Sequence, residues 1–127
     1  MVNPKIFKAY DVRGIYPTDI NEEAVSIITQ ALARHFSSLY LKPHVLNSIL
    51  VAHDSRLSSP SLYKSVLDNL AASDHNLVAT PVGLATTPML YFLVNKIEAI
   101  GGIMITASHN PKEYNCMKVI GPNGMIS

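Results

Sequence analysis

Three short apolar runs alternate with helix-patterned stretches, and this alternation constrains the fold more than any other feature of the chain. The runs are Ile49-Leu50-Val51-Ala52, Asn76 to Thr80, and Gly102-Ile103-Met104-Ile105-Thr106. Strands joined through helices of ten or more residues pair in parallel by right-handed crossovers, which places helices on both faces of a sheet. The intervening stretches have the required pattern. Ser59 is expected to cap a helix with Pro60 at its first position, followed by an apolar stripe of Leu62, Val66, Leu67 and Leu70. Thr87-Pro88 repeats that start, and Met89 to Ile97 continues it. An earlier helix begins near Asn21, with Glu22 and Glu23 at the positive end of its dipole and Ile20 placed to staple onto Val25. Its apolar positions are Val25, Ile28, Leu32, Phe36 and Leu39, and Lys42-Pro43 closes it.

Met117 to Ile120 follows the third run too closely for a helical crossover, so it is expected to pair antiparallel and turn through Gly121-Pro122-Asn123-Gly124. The expected fold is therefore α/β: a three-layer α/β/α sandwich with a mixed, mainly parallel sheet and a terminal antiparallel strand. The 127 residues suit one domain, 1–127, with a core of its own. In such sheets ligands gather beyond the carboxyl ends of the parallel strands. Two polar clusters, His53 to Ser59 and Ser108 to Asn115, follow strands and fall at that edge.

Composition narrows the partners. Ten Lys and Arg against nine Asp and Glu leave a net charge of +1 without long runs of either sign, which argues against nucleic acid and anionic membrane as partners. MVNPKIFKAYD lacks the apolar stretch of a secretory signal, and runs such as MLYFLV are far shorter than the ~20 residues of a membrane span. One cysteine cannot form an internal disulfide, so a reducing, cytoplasmic setting is expected. Charged residues make up only 15% of the chain, below the roughly 25% that is usual. Some apolar surface, especially near the carboxyl-terminal hairpin, is accordingly expected to face other protein.

Ser108 stands out for its surroundings. It follows an apolar strand, with Ala107 before it, His109, Asn110 and Pro111 after it, and Lys112 and Lys118 close in sequence. Such a segment can be a turn that stops a strand. A nucleophilic serine would need a base, and neither a G-x-S-x-G elbow nor an obvious triad is present. A phosphorylated Ser108 would carry about −1.5 to −2 charges and need cations around it, which Lys112, Lys118, His109 and Arg13 can supply.

Four segments resemble the α-D-phosphohexomutases, in the family's order. Ile105-Thr106-Ala107-Ser108-His109-Asn110-Pro111 is similar to the phosphoserine loop, and Phe7-Lys8-Ala9-Tyr10-Asp11-Val12-Arg13-Gly14 to the amino-terminal F-R-x-Y-D-I-R-G segment. Val51-Ala52-His53-Asp54-Ser55-Arg56-Leu57-Ser58 is similar to V-G-R-D-x-R-x-S, and Tyr114-Asn115-Cys116-Met117-Lys118 to Y-N-G-F-K. The Y-D-[IV]-R-G form resembles the bacterial phosphomannomutase/phosphoglucomutase branch. The resemblance implies a phosphoserine-bearing amino-terminal domain, the first of four, of an enzyme that interconverts hexose 6- and 1-phosphates through a bisphosphorylated sugar. It implies that Ser108 donates and accepts the phosphoryl group, that His109 and Lys118 serve proton transfer, that Arg13 contacts the transferring phosphate or helps proton movement, and that Tyr10 reaches the sugar.

The implied cofactor is Mg2+, bound by Ser108 through its phosphate, but the family's D-G-D-x-D-R loop is not in this chain. The implied partners are hexose phosphates and the remaining domains of the same enzyme. A non-catalytic interaction or sugar-phosphate-binding module that retains the fold is the alternative. Two departures bear on the site. Ala52-His53 replaces Gly-Arg, removing a permanent cation where His53 either caps a strand or leaves a phosphate or interdomain contact unmade. Cys116 replaces a glycine; it is either a small packed residue or a partly exposed thiol beside Lys118, and a positive φ there would strain it.

Overall fold

A computed structural model describes residues 6, 12–39, 47–73, 76–106, 113–121 and 124–125. Its elements are β1 (Val12–Ile15), α1 (Glu22–Leu39), β2 (Asn47–His53), α2 (Ser59–Ala72), β3 (Leu77–Leu84), α3 (Thr87–Lys96), β4 (Gly101–Ile105), β5 (Tyr114–Gly121) and β6 (Gly124–Met125). They form one mixed sheet in the order β1-β5-β4-β2-β3, with β6 pairing β5. β2 pairs in parallel with β3 and β4, as the crossover argument requires. β5 pairs antiparallel with β4, and on its other side with β1.

The antiparallel strand is thus interior to the sheet. β1 covers its free edge, and the sequence pattern did not reveal β1 because it is only four residues long and begins directly after the Tyr10-Asp11 motif. β3 is also longer than expected and runs through Pro81, which a strand tolerates at the sheet's edge; a bulge lies opposite at Val51/Ala52.

Alternation along the strands sorts side chains to two faces. Ile49, Val51, Ile103, Ile105, Met117 and Val119 pack with Val25, Ile28 and Phe36 of α1 and Leu62, Val66 and Leu70 of α2. Leu50, Ala52, Met104 and Ile120 pack with Leu90 and Val94 of α3 on the opposite face. These are the three layers. A β-carbon added at Gly101 would meet the Phe36 ring and lie 2.7 Å from the Ile120 carbonyl oxygen, so glycine there lets α1 settle onto the sheet.

Two of the three helix starts differ by one residue from the pattern. Asn21 does cap α1, its Oδ1 accepting from the Ala24 amide at 2.9 Å. α3 is capped by Thr86, whose Oγ1 accepts from the Met89 amide at 3.2 Å; Thr87 is already helical. At α2 the cap is Ser58, which makes no side-chain cap bond. Ser59 is the first helical residue, fully buried, and its hydroxyl has another task.

Exposed apolar side chains are found among the described residues as well. Val78 and Leu84 on β3 and Met89, Phe92 and Ile97 in or just after α3 are exposed, as are Ile15 on β1, Ile27 on α1 and Leu57 before α2. The side chains at the carboxyl-terminal hairpin beyond Gly121 lie outside the described residues. Among the described residues no helix is long and apolar enough to cross a membrane.

Candidate active site

The carboxyl ends of β2 and β4 lie side by side, and the residue that follows each strand turns a polar group toward the other. Asp54 follows β2 and donates its amide to the Ile105 carbonyl at 2.9 Å. Thr106 follows β4, and its hydroxyl donates to Asp54 Oδ2 at 2.8 Å. Asp54 Oδ1 accepts from the Arg56 amide at 3.1 Å and from the Ser59 hydroxyl. The Arg56 guanidinium lies 3.4 Å from Asp54 Oδ2 and reaches the Tyr114 carbonyl at 3.5 Å.

β5 enters the same network through Asn115, which is fully buried. Its Nδ2 donates to Ser58 Oγ at 2.8 Å and Ser59 Oγ at 2.9 Å, while its Oδ1 accepts from the Cys116 amide at 2.9 Å. The directions are mutually determined. A carboxylate only accepts, so Ser59 must donate to Asp54 and accept from Asn115, which fixes the orientation of the Asn115 amide. In the sequence Asp54, Ser58, Ser59, Thr106 and Asn115 fall within motifs or clusters without an expected part in a site, Ser59 being expected only to cap a helix. The available signal was topological: Asp54 and Thr106 are the first residues beyond two strands expected to be parallel neighbours.

Strand register decides where the expected cations lie. Arg13 is directly opposite Cys116, and Lys118 is directly opposite Met104. Directly opposed residues share a face, and so do residues two apart on one strand, so Arg13, Cys116, Lys118 and Met104 all lie on the α3 face. Arg13 and Lys118 are diagonal neighbours across β1 and β5, a relation that typically separates them by about 7–8 Å. Two of the cations chosen from sequence are therefore brought together from distant parts of the chain. Gly14, after Arg13, is needed for close approach: a β-carbon there would lie 2.7 Å from the Asp19 β-carbon. Ser108, His109, Lys112 and Tyr10 lie outside the described residues.

The two departures take their bland forms. His53 ends β2 with Nδ1 at 2.7 Å from the Asp54 carbonyl oxygen, so that nitrogen carries the proton, and its ring lies 4.6 Å from that of Tyr63. It closes a strand. Cys116 is 1% exposed, overturning the reading as a partly exposed thiol. It sits inside β5 between β1 and the end of β4, its carbonyl accepting from the Thr106 amide at 3.0 Å. It is also absent from the described positive-φ residues, so it carries no left-handed strain.

A cleft of about 430 Å³ opens beside the network, lined by Tyr16, Arg56, Leu57, Ser58, Ser61 and Glu113 among others. Neither Arg13 nor Lys118 lines it. On its wall the Tyr16 and Ser61 hydroxyls both donate to Glu22 Oε2. Burial pushes the Glu22 carboxyl up, but the hydrogen bonds from Ser61 and Tyr16, with one from the backbone, bring it below its ordinary value. The bond to Glu22 is the main cause that raises the Tyr16 phenol, with burial and the Glu22 charge adding to it.

Among the described residues no group of three or more His, Cys, Asp or Glu could hold a metal ion. Both Asp54 oxygens are engaged by donors, with Arg56 alongside. The described residues do not fit a magnesium site.

An α/β/α sandwich with a polar cluster at the carboxyl ends of its parallel strands places the chain in the class of α/β domains with a mixed, mainly parallel sheet. Residues 4–126 match the model of phosphoglucomutase/phosphomannomutase, alpha/beta/alpha domain I. The chain is 38% identical over 114 residues to the phosphohexose mutases of Xanthomonas campestris pv. campestris, covering 90% of this chain and 23% of that one. It is 35% identical over 115 residues to the phosphomannomutase/phosphoglucomutase of Pseudomonas aeruginosa, covering 91% and 23%. A phosphoglucomutase/phosphomannomutase family protein from Burkholderia thailandensis superposes with a TM-score of 0.81 at 29% identity, over 94% of this chain and 26% of that one. The chain belongs to the phosphoglucomutase/phosphomannomutase family and corresponds to its domain I. It spans about a quarter of the length of the curated relatives it matches.

Proposed function

We propose that this domain carries the phosphoryl group of a hexose-phosphate mutase on Ser108. In the first step a hydroxyl of a hexose monophosphate attacks the phosphorus of phospho-Ser108. The Ser108 Oγ–P bond breaks, the sugar oxygen–P bond forms, and the product is a hexose bisphosphate. The attacking hydroxyl gives up its proton and the serine oxygen regains one. In the second step the sugar's other phosphate returns to Ser108. Arg13 faces the transferring group, Lys118 and His109 serve the proton movements, and Tyr10 reaches the sugar.

The observation that carries this reading is the placement of Arg13 and Lys118 on one face of adjacent strands, at the edge where β4 leads toward Ser108. Phosphoryl transfer relies on positioning and charge stabilisation, and two fixed cations supply both. Magnesium enters only as a partner of the Ser108 phosphate, with its other oxygen ligands drawn from outside this chain. Hexose phosphates and later domains of a longer polypeptide are the partners this reading requires. The 127 residues by themselves are expected to show no mutase turnover.

The test is covalent. The natural polypeptide carrying this chain is incubated with glucose 1,6-bisphosphate, and a gain of about 80 Da mapping to Ser108 is expected, the mass of one phosphoryl group. Ser108→Ala removes it. A polypeptide that binds hexose phosphates yet never labels Ser108 would instead be a binding module.

A further inference from the structure

Thr106 and Glu113 flank residues 107–112, which include Ser108, and the two flanks are held by β5, the residues after β2, the start of α2 and the turn after β1. On the departing side the Thr106 hydroxyl donates to Asp54, and its amide donates to the Cys116 carbonyl at 3.0 Å. On the returning side the Glu113 carbonyl accepts from the Tyr16 amide at 2.8 Å, and Asn115 donates to Ser58 and Ser59. Asp54 connects the two sides, since it accepts from Thr106 directly and from Ser59, which in turn accepts from Asn115. Its carboxylate therefore links Thr106, before residues 107–112, to Asn115, after them.

We infer that Asp54, acting through Thr106 and the Ser59–Asn115 relay, is a positioning residue that sets the separation and orientation of the two ends of 107–112, and through them the Ser108 nucleophile. The catalytic part of this inference rests on the function proposed above. Burial gives the arrangement its stiffness: Thr106 is 5% exposed, and Ser59 and Asn115 are fully buried. In such surroundings a hydrogen bond resists exchange with water, and an unmade one is costly. A carboxylate is suited to the task because it accepts from several donors at once and offers none of its own.

The natural polypeptide is compared with Thr106→Val, which keeps the side-chain volume and removes the donor, and Thr106→Ser, which keeps the donor and removes a methyl group. Asp54→Asn serves as the stronger lesion, with thermal unfolding confirming that each variant is folded. The rate of Ser108 labelling by glucose 1,6-bisphosphate is expected to fall about tenfold in Thr106→Val, because small misplacements of a reacting group are expensive. The donor concentration for half-maximal rate should stay within about twofold, as the contact made in binding is untouched. Thr106→Ser should recover most of the rate.

Amide exchange across 107–112 is measured on the same variants and needs no mutase chemistry. Faster exchange in Thr106→Val and Asp54→Asn, restored in Thr106→Ser, upholds the positioning even if the wild-type polypeptide never labels Ser108, an outcome that would overturn the proposed function alone. Wild-type labelling together with unchanged labelling and exchange in Thr106→Val would overturn the inference and leave the proposed function standing. Equal slowing in Thr106→Val and Thr106→Ser would overturn it too, because packing and not the hydrogen bond would then be the cause.

Discussion

The two faces of the sheet are built to different standards. Under α1 and α2, large side chains such as Phe36, Ile49, Leu62, Leu70 and Ile103 are fully or almost fully buried in one continuous cluster. Under α3 the buried set is smaller, and the helix leaves Met89 and Phe92 half to two-thirds exposed. The anchoring groups Ser58 and Ser59 begin α2, and Asn115 lies on the α2 face by register with Gly14 and by alternation with Met117. Arg13 and Lys118 lie on the α3 face, on the far side of β4 from β2. The densely packed face thus holds the frame, and the lightly packed face presents the charges.

Substitutions can break that contrast. Phe36→Ala is expected to cost about 3–5 kcal/mol in urea-induced unfolding, a large share of the ~5–15 kcal/mol that holds a typical domain. Leu90→Ala, beneath the less enclosed α3, should sit near the low end of the Leu→Ala range, about 2 kcal/mol. Equal losses would mean that the two faces are packed alike. Gly101→Ala comes next. Its new methyl group meets Phe36 on the dense face and should cost about 1–3 kcal/mol by overpacking, read from the shift in urea midpoint. Simultaneous Phe36→Leu should recover part of the loss if the ring is the obstacle.

Helix capping gives a smaller effect with a sharper pattern. Asn21→Ala and Thr86→Ala each remove a side-chain cap and should cost about 1 kcal/mol. Ser58→Ala removes no cap bond, so its effect should appear in amide exchange near Asn115 and not in fraying of α2. The smallest effect is in pH dependence. Glu22 has a folded pKa below its unfolded one, so its contribution is present above about 4.5 and is lost as the pH falls through the folded value. The Tyr16 phenol is shifted up, so its contribution is present below about 10 and is lost as the pH rises through the folded value. Glu22→Gln should flatten the acid side of a plot of unfolding temperature against pH, and Tyr16→Phe the alkaline side.

Most of the architecture was legible because it rests on periodicity. The stripes of α1 and α2 and the parallel arrangement of β2, β3 and β4 follow from where apolar residues recur. β1 escaped notice because four residues carry too little pattern and its partner lies about a hundred residues away. The cap positions at α2 and α3 slipped by one because Ser58-Ser59 and Thr86-Thr87 each offer two chemically equivalent starts, and only tertiary partners choose between them. Arg13 and Lys118 were found through motifs; their shared face required the register. Asp54 was the harder case. A lone aspartate after a strand looks like an ordinary turn residue until its donors, from three other residues as far away as Thr106, are visible.

The interior position of β5 also has a consequence in time. Among the described residues β1 pairs with β5 alone, so during vectorial synthesis the segment bearing Arg13 has no described strand to join until Met117 and its neighbours have emerged. At ordinary elongation rates that wait is roughly 5–20 s, long enough for β2 to β4 to collect their helices first. The two cations would then come side by side only after residues 107–112 have been made, so the charged half of the site is assembled once β2 to β4 exist to receive it.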